Sequence, residues 1–192
     1  MEFDVSSPKM SKRAVALLEP SRVKGLIVLD IAPVQYTSKE PHWLAVEDII
    51  QTLLNVNMSS NRNDVEQQLR SSIPDPNLRA FCLTNVDWST GQWKIPLYHI
   101  SNQLEKLASF DLTAATSTTS EEGTQQQQKF LYTGDAFFIN GGQSKFVRSS
   151  HLSSIQEYFP NHMLTTIKGA GHWVHAEAPE DTTALIQQFL NR

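Results

Sequence analysis

Gly25-Leu26-Ile27-Val28-Leu29-Asp30-Ile31 is an apolar, β-branched-rich run broken only by Asp30. It has the character of a strand buried on both faces of a parallel sheet, and Ala32-Pro33 stops it. Two further runs read as strands: Ala136-Phe137-Phe138-Ile139, short and buried and closed by Gly141-Gly142, and Met163-Leu164-Thr165-Thr166-Ile167. Helical periodicity governs the stretches between them. Trp43 to Asn57 places Leu44, Val46, Ile49, Ile50, Leu53 and Leu54 at near-helical spacing. Asn63 to Ser72 and Asn77 to Leu83 predict shorter helices, the second following Pro74-Asp75-Pro76. Ile100 to Phe110 predicts an amphipathic helix with Leu104 and Leu107 on its apolar side. Ser150 to Tyr158 and Pro179 to Leu190 predict two more. Ser11 to Leu18 reads as a helix ended by Pro20. The alternation of strand and helix predicts an α/β fold with a parallel sheet flanked by helices. Residues 41–110 are an inserted helical block with the character of a cap over a site.

Asp111 to Lys129 is rich in Thr, Ser and Gln and ends in four consecutive glutamines. It holds too little apolar surface to offset its ordering entropy, so 111–129 is expected to be a disordered low-complexity loop. Sixteen basic and twenty acidic residues give a net charge of −4, with the basic residues scattered. A nucleic-acid partner, which would call for a basic stripe, is not expected. The longest apolar stretch, Gly25 to Val34, is ten residues and carries Asp30, too short for a transmembrane segment. Met1 to Arg13 lacks an apolar signal core, and Glu2 and Asp4 spoil a mitochondrial transit peptide, so no targeting segment is read there. A single cysteine, Cys82, excludes an intrachain disulfide and a multi-cysteine metal site. Its setting, Ala80-Phe81-Cys82-Leu83, suits a buried inert thiol.

Asp30 ends a predicted strand and His172 lies in the Gly169-Ala170-Gly171-His172 loop just after another. Ligands of open α/β sheets bind at the carboxyl ends of strands, so both project toward the functional edge. A carboxylate that orients an imidazole is the base half of a nucleophilic triad. Spacing alone equally allows an aspartate that caps the next turn and a histidine that serves the loop's structure. His172-x-x-His175 has i, i+3 spacing in a loop rather than the helical i, i+4 of a zinc site, so no metal is expected. His42, His99, His151 and His162 are isolated and receive no role.

Three segments occur in order: Leu29-Asp30-Ile31-Ala32-Pro33-Val34; Phe138-Ile139-Asn140-Gly141-Gly142-Gln143-Ser144-Lys145-Phe146-Val147; and Gly169-Ala170-Gly171-His172-Trp173-Val174-His175-Ala176-Glu177-Ala178-Pro179. Together they resemble the C-terminal two-thirds of an α/β-hydrolase. The nearest likeness is to the alpha/beta hydrolase domain-containing protein 11 group and its bacterial esterase relatives. The resemblance runs from about Met10 to Arg192, interrupted by the Gln-rich insert, and makes 1–192 one partial α/β-hydrolase domain. It implies a serine hydrolase that cleaves carboxylic esters or acyl lipids by a Ser–Asp–His triad. The implied substrate is a small acyl ester or lipid, no cofactor is called for, and no protein partner is specified. The resemblance further implies a mitochondrial location, the cytoplasm being the other.

His172 then matches the general base, and Asp30 matches the acid of the bacterial relatives. An alternative acid in the cap region would fall near Tyr98, which cannot serve. The catalytic serine has no match. No Gly-x-Ser-x-Gly elbow occurs, and the family's Gly-His-Ser-Met-Gly-Gly-Lys falls on Ser7-Pro8-Lys9-Met10-Ser11-Lys12-Arg13. Lys9 stands in the serine's place and the flanking glycines are gone; Ser7 and Ser11 are hydroxyls without an elbow. The expectation is an N-terminally truncated member, inactive as it stands, or a non-catalytic binding or regulatory product of the same family. The strand at Leu26 to Ile31 should then lie at the sheet edge, or beside a poor substitute from Phe3 to Val5.

Overall fold

The computed structural model describes residues 16–37, 39–58, 61–110 and 130–192. The helix expected at Ser11 to Leu18 falls mostly outside these residues. So do the Phe3 to Val5 substitute strand, the elbow position at Ser7 to Arg13 and the loop at 111–129. The chain divides into two compact units, Tyr36–Ser109 and the remainder.

The larger unit begins with a 3₁₀ turn, Pro20–Arg22, and β1, Gly25–Leu29. The helical unit follows in the chain. It comprises α1 (Pro41–Asn55), α2 (Arg62–Leu69), α3 (Pro76–Thr84), β2 (Val86–Asp87), β3 (Gln92–Trp93), α4 (Leu97–Asn102) and α5 (Leu104–Ala108). The larger unit then resumes with β4 (Asp135–Gly141), a 3₁₀ turn (Ser149–His151) and α6 (Leu152–Tyr158). It closes with β5 (His162–Ile167), α7 (Val174–Glu177) and α8 (Pro179–Leu190).

β4 is the central strand of a three-stranded parallel sheet ordered β1-β4-β5. Val28 pairs with Phe138, which pairs with Leu164. Among the described residues β1 is therefore an edge strand. Alternate residues of β4 feed two cores. Ala136 and Phe138 join Leu26, Val28, Ile155 and Phe159 on one face, while Phe137 and Ile139 join Ile167, Val174 and Phe189 on the other. Both faces being covered is why β4 reads as an unbroken apolar run rather than an alternating one. Aromatic pairs fill both layers: Phe138 meets Phe159 edge-on at 5.4 Å, and Phe137 stacks on Phe189 at 5.5 Å.

The helical unit has its own core, with Leu53, Val65, Leu69, Ile73, Leu83, Val86 and Leu97 buried together. Side chains cap two of its helices. Asn61 accepts from the backbone N–H groups of Asn63 and Asp64 at α2, and Asp75 accepts from Asn77 at α3. The buried Arg79 guanidinium donates to the carbonyls of Ile73 and Pro74.

The helix expected over Ile100 to Phe110 is instead two short ones, α4 and α5, parted at Gln103, whose N–H closes a tight turn onto Ile100 O at 3.0 Å. The break re-aims the second helix, so Leu104 is buried while Leu107 is 51% exposed. On α1, Leu44 also faces solvent, with Trp43, Ile50 and Leu53 forming the buried stripe. The β2–β3 hairpin has strands of two residues, too short for any alternation to register. Its turn is held by Asp87, which accepts from Ser89 and is drawn below the usual carboxylate range by those bonds, and by Gly91 at φ +67°.

Candidate active site

The site lies within the larger unit, at the carboxyl ends of its strands. Asp30 immediately follows β1, and its N–H extends the ladder onto Ile139 O at 2.8 Å. Its backbone then turns to φ +47°, the one positive φ of a non-glycine residue among the described residues. Aspartate tolerates this left-handed region better than most residues. The turn aims the carboxylate across the strand ends, where it is 1% exposed.

A carboxylate this buried needs donors, and three converge on it. Gly141 N–H donates to Oδ1 at 2.9 Å, the Ser144 hydroxyl donates to Oδ2, and His172 Nδ1 contacts Oδ2 at 2.7 Å. Asp30 and His172 are thus brought together from 142 positions apart in the chain. A carboxylate only accepts, so Nδ1 carries the proton and Nε2 of the neutral ring is the free basic nitrogen. The imidazole is 35% exposed, against none for the Asp30 side chain. The ring is open to a reactant while its carboxylate is not.

Three further features hold the imidazole. Phe146 stacks on it with centroids 3.9 Å apart and planes 21° from parallel. The Glu177 carboxylate at the end of α7 accepts from Gly171 N–H at 2.7 Å and Trp173 N–H at 3.0 Å, pinning the loop on both sides of His172. Gly141 lets that loop come close. A Cβ there would overlap the Gly171 carbonyl and lie 2.6 Å from the Ala170 carbonyl.

The remaining sequence candidates lie elsewhere. His175 is exposed and its ring lies tilted against Trp173. Among the described residues no group of three or more His, Cys, Asp or Glu side chains could hold a metal ion. His151 and His162 direct Nδ1 at the carbonyls of Phe146 and Phe159, His42 meets Tyr36 edge-on, and His99 lies beside Tyr98. Cys82 is buried, which pushes its thiol pKa up. Tyr98 is 67% exposed. Sequence reasoning passed over Ser144, Phe146, Glu177 and Gly141. Each lies inside a quoted motif, but nothing in its type or spacing shows which neighbour it meets.

Residues 13–179 match the alpha/beta hydrolase fold family, and the chain belongs to it. Among its relatives, the sn-1-specific diacylglycerol lipase ABHD11 of Mus musculus is 31% identical over 180 residues, 92% of this chain and 54% of that protein. Esterase YbfF of Escherichia coli strain K12 is 26% identical over 181 residues, 93% of this chain and 62% of the esterase. A solved marine microorganism esterase superposes with a TM-score of 0.76 at 30% identity, covering 93% of this chain and 64% of that one. The chain thus spans about half the length of the mouse relative.

Proposed function

We propose that His172 and Asp30 are the general base and orienting acid of a serine-hydrolase site that cleaves small acyl esters or acyl lipids. The observation that carries the reading is the 2.7 Å contact of His172 Nδ1 with a carboxylate that is buried and held by two other donors. The lipase and esterase names of the relatives support the same reaction class. In this chemistry Nε2 takes the proton of a serine hydroxyl as its oxygen bonds the ester carbonyl carbon. The imidazolium, stabilised by Asp30, returns that proton to the leaving alkoxide. Water then repeats the sequence on the acyl-enzyme. Asp30 fixes the tautomer that leaves Nε2 basic.

The 192 residues contain no Gly-x-Ser-x-Gly. These residues therefore supply the acid–base half of the site, and on their own they are expected to show no turnover of a short-chain p-nitrophenyl ester and no fluorophosphonate labelling. Grafting strands that bear a Gly-x-Ser-x-Gly turn ahead of Arg13 should give hydrolysis. His172→Ala and Asp30→Asn should each then lower kcat about a thousandfold or more. A graft that folds and hydrolyses the ester equally well in both variants would remove the pair from the chemistry. A second reading is a non-catalytic binding or regulatory member of the same family; a graft that folds and stays silent would support it. The mitochondrial location implied by the resemblance belongs to the same proposal, and an organelle import assay tests it. No helix among the described residues is long and apolar enough to cross a membrane.

A further inference from the structure

Phe146 lies flat against the His172 ring, with centroids 3.9 Å apart and planes 21° from parallel. The His172 side chain is 35% exposed, so the stack fixes its plane only as far as Phe146 is itself held. Phe146 is buried and its backbone is held at both ends. Its N–H donates to Ser144 Oγ and its carbonyl accepts from His151 Nδ1, each at 3.1 Å. The carbonyl bond ties the stack to the frame of the larger unit. His151 closes the 3₁₀ turn Ser149–His151, with its N–H on Arg148 O at 2.9 Å, and leads directly into α6. Ile155 anchors α6 in the core beside the sheet, and Phe159 just beyond it meets Phe138 of β4. His151 is itself 8% exposed. A polar ring atom buried this deeply needs a partner, and a carbonyl only accepts, so Nδ1 of His151 carries a proton.

We infer that His151 is a positioning residue of this site: its Nδ1–H holds the Phe146 carbonyl and, through it, the ring that fixes the plane of His172. The inference rests on the reading of His172 as general base, whose Nε2 must keep one direction while it takes a proton and returns it. A buried histidine that merely filled space would be replaced by a side chain of like shape without consequence at His172. A histidine that holds the carbonyl would instead be replaced by a smaller side chain that keeps an N–H in the same place. Asparagine is that side chain, since its Nδ2 donates from the same number of bonds beyond Cα as histidine Nδ1.

The test is ¹H NMR of the full 192-residue chain, reading the carbon-bound protons of the His172 ring. The ring current of Phe146 should displace them upfield, and Phe146→Leu, which removes the stack, sets the size of that displacement. His151→Phe keeps a ring in the buried space without a donor and should lose most of the displacement. His151→Asn keeps the donor and should retain it. If His151→Phe does not fold, His151→Leu, smaller and also without a donor, takes its place. An unaltered displacement in a folded His151→Phe or His151→Leu variant would overturn the inference. Equal losses in folded His151→Asn and His151→Phe would overturn it too, since filling of space rather than the donor would then decide. The tautomer of His172 separates the two claims. A neutral ring protonated on Nε2 in the unaltered protein removes the base reading, and the role of His151 with it. A ring protonated on Nδ1 whose displacement ignores His151→Phe removes only the role of His151.

Discussion

Holding Asp30 at φ +47° costs of order 1 kcal/mol, and its buried carboxylate adds a desolvation cost that only good donors offset. Three donors meet that need, from Gly141, Ser144 and His172. Gly141 matters in two ways, through its N–H and through the hydrogen in place of Cβ. Gly141→Ala should destabilise the protein by about 2–3 kcal/mol or more, because the added carbon meets backbone carbonyls, which cannot rotate aside as a side chain would. Denaturant unfolding measures this, and a change under about 0.5 kcal/mol would show that the His172 loop does not need the close approach. Asp30 was legible in the sequence because a polar residue ending an apolar strand is visible as a break in pattern, and His172 because it sits in a glycine-rich loop just after another strand. Ser144 was not, since a serine in a polar loop breaks no pattern and its role depends on how that loop folds back over the strand ends.

At the scale of elements, the single turn of α7 serves the loop before it. Glu177 spends both carboxylate oxygens on Gly171 and Trp173 N–H groups, bracketing His172 from the C-terminal side. Glu177→Ala should release both amides and cost about 1–2 kcal/mol, whereas Glu177→Gln keeps one acceptor oxygen and should release only one of them. Hydrogen exchange at the two amides distinguishes these outcomes; equal protection in Glu177→Ala and the unaltered protein would deny the clamp. β4 and the longer helices were readable because an unbroken apolar run, set by burial on both faces, and a 3.6-residue period each persist over several residues. The α4–α5 break was not, because a single tight turn at Gln103 re-phases the pattern while leaving Leu104 and Leu107 at helical spacing. The β2–β3 hairpin escaped for want of length, although Gly91 marks its turn.

Across the larger unit, strand order does what local sequence cannot. Placing β4 between β1 and β5 sets the ends of β1 and β5 on either side of Gly141, so the chain must close a separation of 142 residues to make one hydrogen bond. Periodicity identified the strands, but their pairing partners follow only from packing, which is why the two residues were foreseeable and their contact was an expectation. Long-range ¹H–¹⁵N NMR of the neutral His172 ring reads that contact directly. A ring held by Asp30 should carry its proton on Nδ1 with Nε2 bare, and Asp30→Ala should abolish that preference. A His172 ring protonated on Nε2 in the unaltered protein, or one whose tautomer ignores Asp30→Ala, would contradict the account.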